Sequence, residues 1–212
     1  MNIYLKLYKA YGPRHWWPGE TPFEVMVGAI LTQNTSWKNV EKAIARLKEK
    51  GVLNPEHIHR LRESSLASLI RSSGYYRIKA RRLKNFVNFL FKEFGGDITT
   101  MKKERVVTLR TKLLQVKGIG PETADSILLY GLQKPIFVVD AYTKRILSRH
   151  GMVSEKASYE DLQNLFMAHL SHDEKLFNEY HALLVHLGKN VCQKIPECDR
   201  CPLEGIKIGK RK

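Results

Sequence analysis

Between Arg77 and Phe94 the chain places Leu83, Phe86, Val87, Leu90, Phe91 and Phe94 on one face of a 3.6-residue period, then stops at Gly95-Gly96. Apolar residues at that spacing over so long a stretch predict an amphipathic helix packed against a core, and the basic residues lie mostly on its other side. Paired glycines are a strong signal for a helix C-terminus. The same reading predicts helices over Phe23–Leu31, over Lys38–Lys50 with Val40, Ile44 and Leu47 inward, and over Leu66–Ser73 with Ser65 as N-cap. Further helices are expected at Arg105–Gln115, Pro121–Leu132, Ala141–His150, Tyr159–His169 and Glu174–Leu187. Alternation of the strand type is nearly absent, and the β-branched run Ile136–Val139 is too short to build a sheet. The expected fold class is all-α.

A chain of 212 residues can form one compact domain or two small ones, and 43% apolar content supports a core. The longest apolar run, Val25–Leu31, falls far short of the roughly 20 residues needed to span a bilayer. No membrane association and no secretory leader are expected, which makes the cytoplasm the expected location. Lys and Arg outnumber Asp and Glu by 36 to 21, a net charge of +15. That excess suits a polyanion, since each cation placed on a phosphate releases a counterion. An anionic membrane surface is the alternative. Arg77, Lys79, Arg81, Arg82 and Lys84, then Lys102, Lys103, Arg105, Arg110 and Lys112, are spread along the chain rather than gathered into one anchor, which favours nucleic acid.

The segment from Lys112 to Tyr130 is the most informative. A helix ends near Val116, Gly118 and Gly120 permit a tight turn with positive φ, and Pro121 stands where a first helical residue belongs. Backbone N–H groups at such a turn make a phosphate site, and Lys117 adds charge. A plain helix-helix corner would use the same glycines. Helices on both flanks argue against a dinucleotide fold, which needs a strand first. Further on, the apolar run Pro135–Val139 ends at Asp140 just before a helix. An Asp there reads as an N-cap or as a catalytic carboxylate. Three cysteines, Cys192, Cys198 and Cys201, lie close together near the C-terminal end, and in a reducing compartment such grouping points to metal rather than disulfides.

Val116-Lys-Gly-Ile-Gly-Pro-Glu-Thr-Ala-Asp125 followed by Val138-Val-Asp140 resembles the helix-hairpin-helix and Asp signature of the endonuclease III superfamily of base-excision DNA glycosylases. Phe23–Thr35, Gly74–Ala80 and His181–Cys201 extend the resemblance over most of the chain. It implies a six-helix barrel domain at 15–134 containing the hairpin at 112–131. A second helical domain would form from 1–14 and 135–212, carrying a cysteine loop at 192–201, with the DNA cleft between the two domains. It also implies a monomer acting on double-stranded DNA that contains a damaged base. Asp140 would be the catalytic carboxylate, Gly118 and Gly120 would grip phosphate beside Lys117, Gln33 would fill the gap left by the flipped nucleotide, and Tyr75 would be a wedge. For Gln33 and Tyr75 the plain alternatives are a polar loop residue and a packed aromatic.

The sequence departs from the bifunctional members at Glu122, where they carry a Schiff-base lysine. A carboxylate cannot form an imine, so the expectation is a monofunctional enzyme using water, with Asp140 and Glu122 as its acids. Lys117 and Lys134 are the nearest lysines, and nothing in the sequence marks either as desolvated. Two anions favour a cationic base such as an N3- or N7-alkylated purine, which aromatic faces would hold with about 0.5–2 kcal/mol of cation–π attraction. Trp16-Trp17-Pro18, Thr32–Thr35 and the Gly-x-Glu of the hairpin are similar to the 3-methyladenine glycosylase branch. Trp16, Trp17, Pro18, Gln33 and Trp37 are the implied base pocket, although the tryptophans could equally be core. The competing functions are a mismatch uracil or thymine glycosylase, a glycosylase with lyase activity, and a DNA-binding module without chemistry. The cysteine spacing resembles the family's 4Fe–4S loop, but its first gap is one residue shorter and Lys207 stands near the expected fourth ligand. Three thiolates with water, Asp199 or Glu204, a zinc site with a His, and a decayed site all stay open.

Overall fold

A computed structural model of the chain describes residues 2–14, 16 and 19–206. Its α-helices, in chain order, are α1 Asn2–Tyr11, α2 Pro22–Leu31, α3 Trp37–Glu49, α4 Pro55–Arg60, α5 Glu63–Leu69 and α6 Tyr76–Phe94, then α7 Ile98–Lys103, α8 Val106–Leu114, α9 Pro121–Ser126, α10 Ala141–Arg149, α11 Tyr159–His169 and α12 Glu174–Asn190. No strand occurs among the described residues, and the fold is all-α. Two compact units divide the chain: residues 18–134, and residues 1–17 with 135–212.

In the unit of residues 18–134, α2 is the central element. Thr21 caps it by accepting from the Glu24 N–H at 3.2 Å, with Pro22 next in line. Every residue from Phe23 to Leu31 is buried, and a helix apolar all round can only be an interior one. Glu24, buried among them, is paired with Lys48 at 2.9 Å. Helices α3, α6 and α9 pack around α2. The long α6 buries Leu83, Phe86, Val87, Leu90 and Phe94 and ends at Gly95, where left-handed backbone returns Gly95 N–H to Phe91 O and Gly96 N–H to Leu90 O. Lys79 is buried on the same helix, and its ammonium donates to Leu31 O at 2.8 Å and Ser73 O at 2.6 Å. Burial, with Arg82 adding repulsion, pushes its pKa down to about 8.

Two expectations change here. The helix predicted to begin after Ser65 starts earlier: α5 runs from Glu63 with Arg62 at the cap, so Ser65 lies inside it, and a 3-10 turn covers Arg71–Ser73. The short helices α4 and α7, capped by Asn54 and Asp97, carry too few turns for an apolar period to show.

In the other unit, α10 and α12 cross closely because Gly188 faces Tyr142: a Cβ at 188 would stand 2.6 Å from the ring. Arg145 lies over the same ring at 5.1 Å and donates to Gly188 O in the last turn of α12 and to Cys192 O just beyond it, both at 2.8 Å. Helix α11 opens with a capping box of Ser158 and Asp161. The buried segment Ile136–Val139 joins no sheet. Its polar groups are met by side chains instead: Gln163 donates to Phe137 O at 2.7 Å, and Val139 N–H donates to the Tyr159 hydroxyl at 3.3 Å. That extended run delivers the chain to Asp140.

Candidate active site

Asp140 is the N-cap of α10. Its Oδ1 accepts from the Thr143 N–H at 2.7 Å and from the Thr143 hydroxyl at 2.9 Å. Its Oδ2 lies 3.6 Å from Nε2 of His181 on α12, an ion-pair distance rather than a hydrogen bond, and the Asp140 side chain is only 12% exposed. Burial alone would raise the carboxyl's pKa. His181 and the two Thr143 donors outweigh it, and the net direction is down, towards a stable carboxylate. Capping therefore commits one oxygen to the helix and leaves the other facing the imidazole. His181 was not among the sequence candidates. It lies far along the chain from Asp140 and inside an apolar helical run, with no local spacing to join them.

The hairpin joins α8 to α9, which runs on as a π-helical turn at Ile127–Gly131. Arg110 of α8 grips buried Asp125 of α9 with two bonds, Nε to Oδ1 at 2.7 Å and Nη2 to Oδ2 at 3.1 Å. Gly118 has φ +98°, and a Cβ there would stand 2.4 Å from Arg82 Cγ, so both the backbone and the packing demand glycine. Gly120 differs from expectation. Its φ is −94°, and a Cβ would meet nothing within 4 Å. Folding does not require glycine at 120, and the backbone there stays open to an approaching group. Lys117, Gly120 and Glu122 are exposed, with Glu122 in the first turn of α9, where an anion suits the helix dipole.

The remaining candidates fall into the two units. Gln33, Trp37, Tyr75, Lys117, Gly118, Gly120 and Glu122 belong to residues 18–134, while Trp16, Asp140, Cys192, Cys198 and Cys201 belong to the other unit. Trp17 and Pro18 lie outside the described residues. Gln33 is drawn into the hairpin, donating to Gly118 O at 3.2 Å and to the Thr123 hydroxyl at 2.9 Å. Tyr75 is 70% exposed, with φ +46° at the start of α6. Trp37, half-buried, begins α3. Trp16 is half-buried with Lys189 Nζ over its ring, 5.6 Å from the centroid. Lys134 departs from the sequence reading: burial, with Lys102 next, pushes its pKa down, and its Nζ is held by Glu104 O at 2.6 Å.

The cysteine loop is pinned by α10. Arg149 donates to Cys192 Sγ at 3.3 Å, Gln193 O at 2.6 Å and Lys194 O at 2.9 Å. Cys192 is buried, Cys201 half-buried and Cys198 exposed. Burial raises the Cys201 thiol, and the other two cysteines raise it further. Among the described residues no three His, Cys, Asp or Glu side chains are grouped to hold a metal ion. This arrangement does not fit a four-iron cluster, and no chemistry is routed through one.

A glycine hairpin between helices in an all-α chain, together with a largely covered carboxylate fixed at a helix start, marks a DNA-binding repair protein. The chain belongs to the HhH-GPD superfamily of base excision DNA repair proteins, whose family model matches residues 27–172. It is a DNA glycosylase of that superfamily, endonuclease III-like in kind. A Methanocaldococcus jannaschii protein provisionally named a DNA repair glycosylase is 47% identical over 210 residues, 99% of this chain and 96% of its own. Among solved structures, a Helicobacter pylori 3-methyladenine DNA glycosylase bound to 1,N6-ethenoadenine is 31% identical, covers 90% of this chain and 94% of its own, and superposes with a TM-score of 0.75. An endonuclease III in a non-covalent DNA complex shares the fold at TM-score 0.83, with 22% identity over 98% of this chain and 92% of its own.

Proposed function

We propose that the chain is a monofunctional DNA glycosylase that binds duplex DNA as a monomer and releases a flipped alkylated purine, such as 3-methyladenine, to water. The observation that carries this reading is the carboxylate of Glu122, exposed in the first turn of the hairpin's second helix, where a lysine would be needed for a covalent imine. Asp140, held ionised, accepts the proton of the attacking water or stabilises the positive charge that develops on the sugar as the base departs. Thr143 fixes one oxygen, so the other presents a single geometry.

A cationic base suits these parts. An alkylated purine leaves readily, and the indole face of Trp16, over which an ammonium already lies, can hold a second kind of cation. The open backbone at Gly120 and the charge of Lys117 suit a DNA phosphate. The cysteine loop of Cys192, Cys198 and Cys201 enters this reading without a 4Fe–4S cluster. Iron and acid-labile sulfide bound in stoichiometric amount to anaerobically purified protein would overturn that part of it.

The deciding experiment measures base release from duplexes carrying 3-methyladenine, uracil or a thymine mismatch. Release of 3-methyladenine is expected to lead, and Asp140→Asn is expected to lower it by about 100-fold or more. Asparagine still offers Oδ1 to Thr143, so the variant should fold, with a modest fall in melting temperature from the lost charge beside His181. Wild-type release by that variant would remove the catalytic assignment. Borohydride is expected to trap no covalent enzyme–DNA species, and trapping that Lys134→Met abolishes would overturn the monofunctional reading.

A further inference from the structure

Gln33 stands in the turn after α2, and both ends of its amide are engaged within its own unit. Its carbonyl accepts from an Nη of Arg82 on α6. Its amide nitrogen donates to the hairpin at two points, Gly118 O at 3.2 Å and the hydroxyl of buried Thr123 at 2.9 Å. The stem of Arg82 fills the place where a Gly118 side chain would stand, and Asn85, one turn further along α6, donates to Lys117 O at 2.9 Å. The turn that holds Lys117 and Gly118 is thus held by Arg82 and Asn85 of α6, and Gln33 is the member that joins Arg82 to the hairpin. A glutamine whose only role was to enter a gap in DNA would gain nothing from being spent this way in the free protein.

We propose that Gln33 is a positioning residue for the DNA-gripping hairpin, fixing its conformation through Gly118 and Thr123 and thereby setting affinity for duplex of any sequence, damaged or not. The proposal rests on the reading that the hairpin contacts the DNA backbone. A preformed turn binds phosphate without first being ordered, so loosening it should weaken binding uniformly.

Equilibrium binding to an undamaged duplex is the test, over a series of salt concentrations. Gln33→Ala is expected to bind it about 5- to 10-fold more weakly, the scale of one or two lost hydrogen bonds, with the salt slope unchanged because no cation is removed. Thr123→Val keeps the buried volume and removes only the hydroxyl. It should show the same defect in smaller degree, raising KM while leaving the single-turnover rate at saturating enzyme unchanged. The double variant should be no weaker than Gln33→Ala alone, because the two residues act through one bond. Wild-type affinity of Gln33→Ala for undamaged duplex, with loss only on abasic or lesion duplex, would overturn the proposal and leave a gap-filling role. Lys117→Glu separates the two levels. If it leaves undamaged-duplex binding intact, the hairpin reading itself fails. If it weakens binding while Gln33→Ala and Thr123→Val do not, the hairpin stands and the positioning role falls.

Discussion

Oδ1 of Asp140 closes the first turn of α10 through Thr143, while Oδ2 lies against His181. Replacing His181 by Leu leaves burial pushing the carboxyl upward with only the Thr143 donors opposing it. The acid limb of the pH–rate profile is therefore expected to move to higher pH in His181→Leu, and an unmoved limb would show that the imidazole does not hold the carboxylate ionised. The same pairing sets a sign for stability. A carboxyl whose folded pKa lies below its unfolded value stabilises the fold above the ordinary aspartate range and loses that contribution as pH falls through the folded value. Acid unfolding of wild type should accordingly begin at lower pH than that of His181→Leu, as a circular-dichroism titration would record. Asp140 itself was legible in the chain, because an apolar run ending in Asp before a helix is a local pattern. His181 was not, because its partnership depends on how two helices cross.

At the scale of elements, that crossing hangs on one residue. Gly188 admits Tyr142, and a methyl group there would force apart α10 and α12, the two helices that carry Asp140 and His181. Gly188→Ala is expected to cost about 1–3 kcal/mol by overpacking and to lower base release together with melting temperature. Gly120→Ala should behave in the opposite way. Its side chain would enter open space, so the variant should fold with no more than a helix cap's loss, about 1 kcal/mol, while duplex affinity falls. Intact affinity would show that phosphate does not approach there. Long periodic helices such as α6 could be read from the chain to within a residue or two. The six-residue α4 and α7, and the true start of α5, could not, since one and a half turns hold no period and their limits are set by Asn54, Asp97 and the packing of Leu66.

For the whole molecule, a charge of +15 distributed over many helices predicts binding that salt weakens steeply. A footprint of about four phosphates would cost roughly 100-fold in affinity between 50 and 200 mM salt, measurable by fluorescence anisotropy. Composition made a polyanionic partner legible, and the hairpin narrowed it. The network that braces the hairpin was hidden, since Gln33, Arg82 and Thr123 come from three separate stretches and meet only in the folded unit.

Tyr75 has one more consequence. A bulky aromatic held at φ +46° and 70% exposed is uncomfortable both in its backbone and in water. Glycine would relieve that discomfort, so Tyr75→Gly should raise the melting temperature slightly while weakening the grip on lesion DNA. A culture selected only for a hardier protein would discard this tyrosine first. Weaker binding by Tyr75→Gly would show that the residue answers to the nucleic acid rather than to the fold, and heat-stabilising changes would then be best sought elsewhere in the chain.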